Sequence, residues 1–270
     1  MNFLLTSLSI AALCTGHAWA QSSPSIQIPS APQSPGSSQA DGQWRGLASA
    51  SLSSTSGNSS SNNLLLNIDM ARKTQMDKIS AAAMANYGNS KVNGVKTTTA
   101  DRWGLNGQYD YNLTSQLFAF GKLGLDADKV VNLTLRRTLA TGLGYKVINE
   151  PNNTFDVFAG VANTNSRYSR VQVIDNVSGS QFSTNSGLLG EESTHKLTDT
   201  VFFKQRVELY PRLSGDGGTL AKATANLGVS LNSSISLNVG LTNNYNSAPA
   251  TGLKKNDTSL FTGISVKLGG

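Results

Sequence analysis

Period-two alternation of apolar and polar residues runs through most of this chain and fixes what it can fold into. From Arg102 to Leu113 the odd positions are mostly apolar or aromatic (Trp103, Leu105, Tyr109, Tyr111), and the even ones are polar or small. Ala223, Ala225, Leu227, Val229 and Leu231 alternate with Thr224, Asn226, Gly228 and Ser230. Ile235, Leu237, Val239 and Leu241 do the same with Ser236, Asn238, Gly240 and Thr242, and only Asn232, Ser233 and Ser234 separate the two runs. Successive side chains of a strand point to opposite faces, so each run is a two-faced strand and this pair is a tight hairpin. A last run sets Leu260, Thr262, Ile264, Val266 and Leu268 against Phe261, Gly263, Ser265 and Lys267. Less regular runs begin near Leu47, Leu64, Ile79, Leu117, Leu133, Leu139, Phe155 and Phe202, which brings the expectation to roughly a dozen strands. No segment carries a convincing helical period; the alanines between Met70 and Met84 fit a strand equally well. The weakly alternating stretch from Ala162 to Thr198 reads either as an extended hairpin tip or as a loop folded inward.

The polar face separates a membrane barrel from a soluble β-fold. A solvated surface is normally studded with Lys and Glu, yet only 14% of this chain is charged and its polar positions are mostly Asn, Ser, Thr, Gly and Gln. Small polar residues suit a confined, hydrated lumen and place the apolar face against lipid. The expected fold is therefore all-β: an antiparallel up-and-down transmembrane barrel of roughly 12 strands over residues 44–270. The alternative is a soluble periplasmic barrel or sandwich that binds a small ligand. By parity and composition the lumen-facing candidates are Arg102, Gln108, Asp110, Lys122, Asp126, Arg136 and Asp156. Arg136 and Arg137 are adjacent, so only one of them faces inward. Trp103, Tyr109 and Tyr111 are the candidates for an interfacial aromatic girdle.

The leader fits that destination. Residues 1–20 run from Met1-Asn2-Phe3-Leu4-Leu5 through an apolar stretch to Ala18-Trp19-Ala20, a small-x-small cleavage pattern. Cys14 is the single cysteine and is expected to leave with the signal; the Leu13 before it does not suit a lipidation site. Residues 21–43, with Pro24, Pro29, Pro32 and Pro35, form a Pro/Ser-rich linker too poor in apolar surface to fold.

Three stretches carry a resemblance. Arg136-Arg137-Thr138-Leu139-Ala140-Thr141-Gly142-Leu143-Gly144-Tyr145, the turn from Tyr245 through Pro249, Gly252 and Lys254 to Asp257-Thr258, and Gly57-Asn58-Ser59 together resemble the bacterial salt-induced outer-membrane proteins, a family of unknown function. The resemblance spans about residues 44–268 and implies an outer-membrane β-barrel that arrives through an N-terminal signal, with outer-membrane lipid and the barrel-insertion machinery as partners. It brings no established activity. Such proteins usually finish on an aromatic residue, whereas this sequence reads Val266-Lys267-Leu268-Gly269-Gly270 at its end.

Chemistry-bearing motifs are scarce. His195 is the one histidine after the leader; with Glu191, Glu192 and Asp199 it reads as part of a solvated acidic loop. Ser193 is near it, but no Gly-x-Ser-x-Gly elbow occurs. No phosphate loop, nucleotide fingerprint or metal-ligand spacing is present, and no cofactor is expected. The net charge of +6 comes from scattered Lys and Arg without interleaved aromatics, so nucleic acid is not an expected partner; attraction to anionic headgroups or to anionic solutes suits it better. The expectation is a non-enzymatic outer-membrane barrel, a narrow solute pore or an envelope or salt-stress component.

Overall fold

A computed structural model of the chain describes residues 40–56, 59–92 and 94–269. The expected signal, Cys14, nearly all of the linker and the Gly57-Asn58 pair lie outside them. The strands are β1 (Trp44–Thr55), β2 (Ser59–Lys73), β3 (Asp77–Val92), β4 (Val95–Asn112), β5 (Leu117–Asp128), β6 (Leu133–Asn149), β7 (Asn153–Ile174), β8 (Val177–Lys196), β9 (Val201–Tyr210), β10 (Arg212–Gly215), β11 (Leu220–Ser230), β12 (Ile235–Asn246) and β13 (Asn256–Leu268). Neighbours in sequence pair antiparallel from β1 to β9, then β9 with β11, β11 with β12 and β12 with β13. The pairing of β13 with β1 closes the ring. After Pro211, which has no N–H to give to a ladder, the chain resumes as β10 on the same neighbour, β8. β9 and β10 thus share one stave, and the barrel has twelve.

Parity assigns the faces. Leu64, Leu66 and Ile68 on β2, Leu139 and Leu143 on β6, and Leu237, Val239 and Leu241 on β12 all point outward and are exposed. The alternate positions, such as Asn67, Asp69, Asp126, Lys204, Glu208 and Asn238, are buried inside. Leu133 and Leu139, expected to begin separate runs, belong to one strand, β6. The stretch 162–198 is a long β7–β8 hairpin that turns at Asp175-Asn176, where both residues have positive φ, as a two-residue hairpin turn requires.

At one end of the barrel four turns repeat a single device. Thr74, Thr114, Thr198 and Asn232 each accept, through a side-chain oxygen, the N–H groups two and three residues ahead, at 2.8–3.3 Å. These Ser/Thr and Asx turns close β2–β3, β4–β5, β8–β9 and β11–β12. β1 begins and β13 ends at this same short-turn end.

Inside, aromatic rings lie over glycines on the adjacent strand. Phe118 faces Gly144, Phe158 faces Gly190, Phe202 faces Gly228 and Phe261 faces Gly240, each pair in direct register. A Cβ on any of these glycines would fall into the ring beside it. Phe120 and Phe158 meet edge to face at 5.7 Å and 75°, so part of the inner wall is an apolar lining and not a water-filled surface.

Candidate functional site: the ion-pair network across the lumen

β9 supplies the centre of the site. Its inward positions carry Phe202, Lys204, Arg206, Glu208 and Tyr210, while Phe203, Val207 and Leu209 point outward. The Glu208 carboxylate accepts both oxygens' bonds from Lys122 Nζ on β5, at 2.7 and 2.9 Å. Arg206 Nε and Nη2 donate to its Oε1 at 3.0 and 2.7 Å, and the Tyr210 hydroxyl donates to its Oε2 at 2.9 Å. Arg206 also donates to Glu192 on β8 at 2.5 Å and to Gln108 on β4 at 3.1 Å, and stands 4.9 Å over the Phe158 ring. Towards the short-turn end, Glu192 holds Lys204 at 3.4 Å and Lys78 of β3 at 3.8 Å.

β5 and β9 are four staves apart in a twelve-stave ring, and β4 and β9 five. These pairs therefore join opposite walls. Ion pairs buried in this way need excellent geometry to offset desolvation, and removing one partner strands the other. The network divides the interior into a middle cavity lined by Asp69, Lys122, Glu208 and Lys222, and a cavity at the short-turn end lined by Lys73, Asp110, Lys146 and Asp156. Lys78 and Glu192 border both.

The sequence candidates divide between this network, other inward positions and the outer face. Gln108 and Lys122 are inside the network, and Asp110 accepts from Gln108 Nε2 at 2.7 Å. Asp126 and Arg136 pair at 3.7 Å nearer the long-hairpin end, where Arg136 Nε also bonds Ser166 Oγ at 3.1 Å. Arg136 is buried and Arg137 exposed. Asp156 lines the short-turn cavity. Arg102 is not drawn into the network and sits opposite Asp128 in register. Trp103, Tyr109 and Tyr111 point outward, 41–45% exposed.

One expectation needs correction. Glu191, Glu192 and His195 are not in a loop: all three are on β8, and Glu192 is a central acceptor of the lumen. His195 Nδ1 lies 3.2 Å from Asn153 Oδ1 at the start of β7. Of that group only Asp199 is in a turn, where its hydrogen bond with Lys196 holds the carboxyl below its ordinary value. Among the described residues no group of His, Cys, Asp and Glu is arranged to hold a metal.

Lys78, Lys204, Arg206, Glu208 and Lys222 are not among the sequence candidates, and Glu192 is there only as part of an acidic loop. The signal was present in β9: three charges at a spacing of two, interleaved with Phe203, Gln205 and Val207.

Comparison with solved structures returns barrels. The chain is similar to the NanC porin (12% identity, 84% of this chain and 99% of that one, TM-score 0.49) and to the translocator domain of the autotransporter NalP from Neisseria meningitidis (13%, 83% and 87%, 0.47). It is also similar to an outer membrane channel from Pseudomonas putida F1 (10%, 91% and 100%, 0.47). No curated protein matches the chain. Residues 48–268, nearly the whole barrel, match one family model, and the chain belongs to that family, described as a protein of unknown function, DUF481.

Proposed function

We propose that this protein is a non-enzymatic integral barrel of the bacterial outer membrane, delivered by a cleaved N-terminal signal, whose lumen is a narrow passage restricted by its own ion pairs. The observation that carries this reading is the combination of a closed ring, an apolar exterior and charged pairs joining opposite walls inside. A closed barrel satisfies its backbone groups without an edge, which is the condition for crossing a bilayer with strands. Trp103 and Tyr111 support the same reading. Eight residues apart on an outward face, at about 3.4 Å of rise and a tilt of about 40°, they differ in height along the barrel axis by roughly 20 Å, close to the height of a lipid-facing band. They and Tyr109 form part of the aromatic girdle, and the short-turn end faces the periplasm, as short turns do in such barrels.

Fractionation of cells expressing the full chain, alkaline extraction and electrophoresis with and without heating test the assignment. The expected result is an extraction-resistant outer-membrane species whose migration changes on heating and which gives small conductance steps in planar bilayers. Recovery as a freely soluble periplasmic protein overturns it.

A further inference from the structure

We propose that the middle cavity contains a subsite for a small oxyanion, centred on Lys222. The inference deepens the proposed function and rests on it for its consequence in transport, but not for binding itself. Lys222 projects inward from β11, is 9% exposed and lines the middle cavity. Its ammonium stands 4.7 Å over the Tyr210 ring and makes no hydrogen bond or salt bridge among the described residues.

The nearest carboxylate in register is Glu208, and its acceptor capacity is spent. Lys122 donates to it twice, Arg206 twice and Tyr210 once, against roughly four lone-pair sites on a carboxylate. Glu192 is likewise held by Lys78, Lys204 and Arg206. Asp126, towards the long-hairpin end, faces both Arg136, at 3.7 Å, and Lys222, and makes no hydrogen bond to the Lys222 ammonium.

Charge counting around the cavity leads to the same place. Arg45, Lys78, Lys122, Lys204, Arg206 and Lys222 line it with only Asp69, Glu192 and Glu208 as carboxylates. Asp41 accounts for Arg45 and Lys78 also faces Asp110 and Asp156, which leaves four cations, Lys122, Lys204, Arg206 and Lys222, facing three anions. A buried cation beside a saturated carboxylate is stabilised by a further acceptor. The oxygens of a phosphate or carboxylate supply it, and the neighbouring Lys122 adds attraction. A cation-rich constriction also concentrates anions over cations in a passage, so the barrel is expected to prefer anions.

The test is the 31P line width of inorganic phosphate titrated with full-length, heat-modifiable protein in detergent, at constant ionic strength. Wild type is expected to broaden the line. Lys222→Gln, checked for heat-modifiable migration, is expected to bind roughly tenfold or more weakly, the order of one charge-assisted contact, and Lys222→Arg to retain binding. Competition by acetate assigns the subsite to oxyanions in general, and failure to compete restricts it to phosphate. An unbroadened line with wild type, or equal broadening with Lys222→Gln, overturns the proposal. If Lys222→Gln does not fold, the wild-type unfolding midpoint carries the test: it rises with phosphate if the site exists, and a flat response overturns it. A protein that binds phosphate yet fractionates as soluble keeps the subsite and loses the membrane reading. A heat-modifiable membrane protein indifferent to phosphate does the reverse.

Discussion

The two sides of the inner wall solve the same problem differently. From β3 to β9 and on β11 the lumen is ionic; Lys122 reaches across it to Glu208 and Lys78 to Glu192, while Arg206 and Glu192 pair between adjacent strands. Along β1, β2, β12 and β13 it is lined mainly by neutral groups, among them Leu47, Asn67, Asn238, Phe261 and Ser265. There the bond from Asn238 Nδ2 to Ser265 Oγ, 2.5 Å, joins adjacent strands only. The contrast shows that long charged side chains find partners across the lumen as well as on the adjacent strand. On the neutral side the Asn238 amide and the Ser51 hydroxyl bond to an adjacent strand and leave the far wall untouched.

The largest effect comes from cutting an ionic bridge. Glu208→Ala leaves Lys122 and Arg206 without their common acceptor, and should cost about 3–5 kcal/mol of stability, the range for breaking a buried pair. It should also enlarge the single-channel conductance. Denaturant titration followed by heat-modifiable migration measures the first and bilayer recording the second; an unchanged conductance would mean that the bridge does not restrict the passage.

A smaller effect should ignore the boundary between the two sides. The Gly–Phe pairs occur in both, so Gly144→Val beneath Phe118 and Gly240→Val beneath Phe261 should lose similar stability, about 1–3 kcal/mol each by overpacking. A loss confined to one of them would show that one side repacks freely. The smallest change belongs to the neutral side. Asn238→Ala removes a single neighbour bond, about 1 kcal/mol, and should leave conductance and ion preference as they were; altered ion selectivity would erase the contrast.

Much of the barrel was legible because outward positions obey one simple demand. Leu227, Val229, Leu237 and Val239 are apolar where water is excluded, and period two announces them. The turns were legible where a residue type carries the geometry, as with Asn232. The site was harder to read. Parity places Lys122 and Glu208 on inward faces, but they are 86 positions apart in the chain, and which inward charges meet depends on ring closure, which no local pattern encodes. Glu192 was misplaced because Gly190-Glu191-Glu192-Ser193 looks like a loop when its neighbours on β7 and β9 are unknown. The Gly142-Leu143-Gly144-Tyr145 element gains a physical reading from the fold. Gly142 faces Gly160 across the ladder at a distance that admits no Cβ, Gly144 lies beneath Phe118, and Leu143 and Tyr145 point outward.

Ring closure is also uneven. The β1–β13 ladder joins Gly46–Ala50 to Ile264–Leu268, five pairs, whereas β1 meets β2 over twelve. Beyond Ala50 the segment Ser51–Thr55 carries ladder pairing on its β2 side alone, although the Ser51 hydroxyl reaches the Thr262 carbonyl. Lateral strain on the wall therefore concentrates on one line, like tension on a short zip. The far end of β1, like the long-hairpin ends of β4, β7 and β8, keeps backbone donors and acceptors that another strand would recognise.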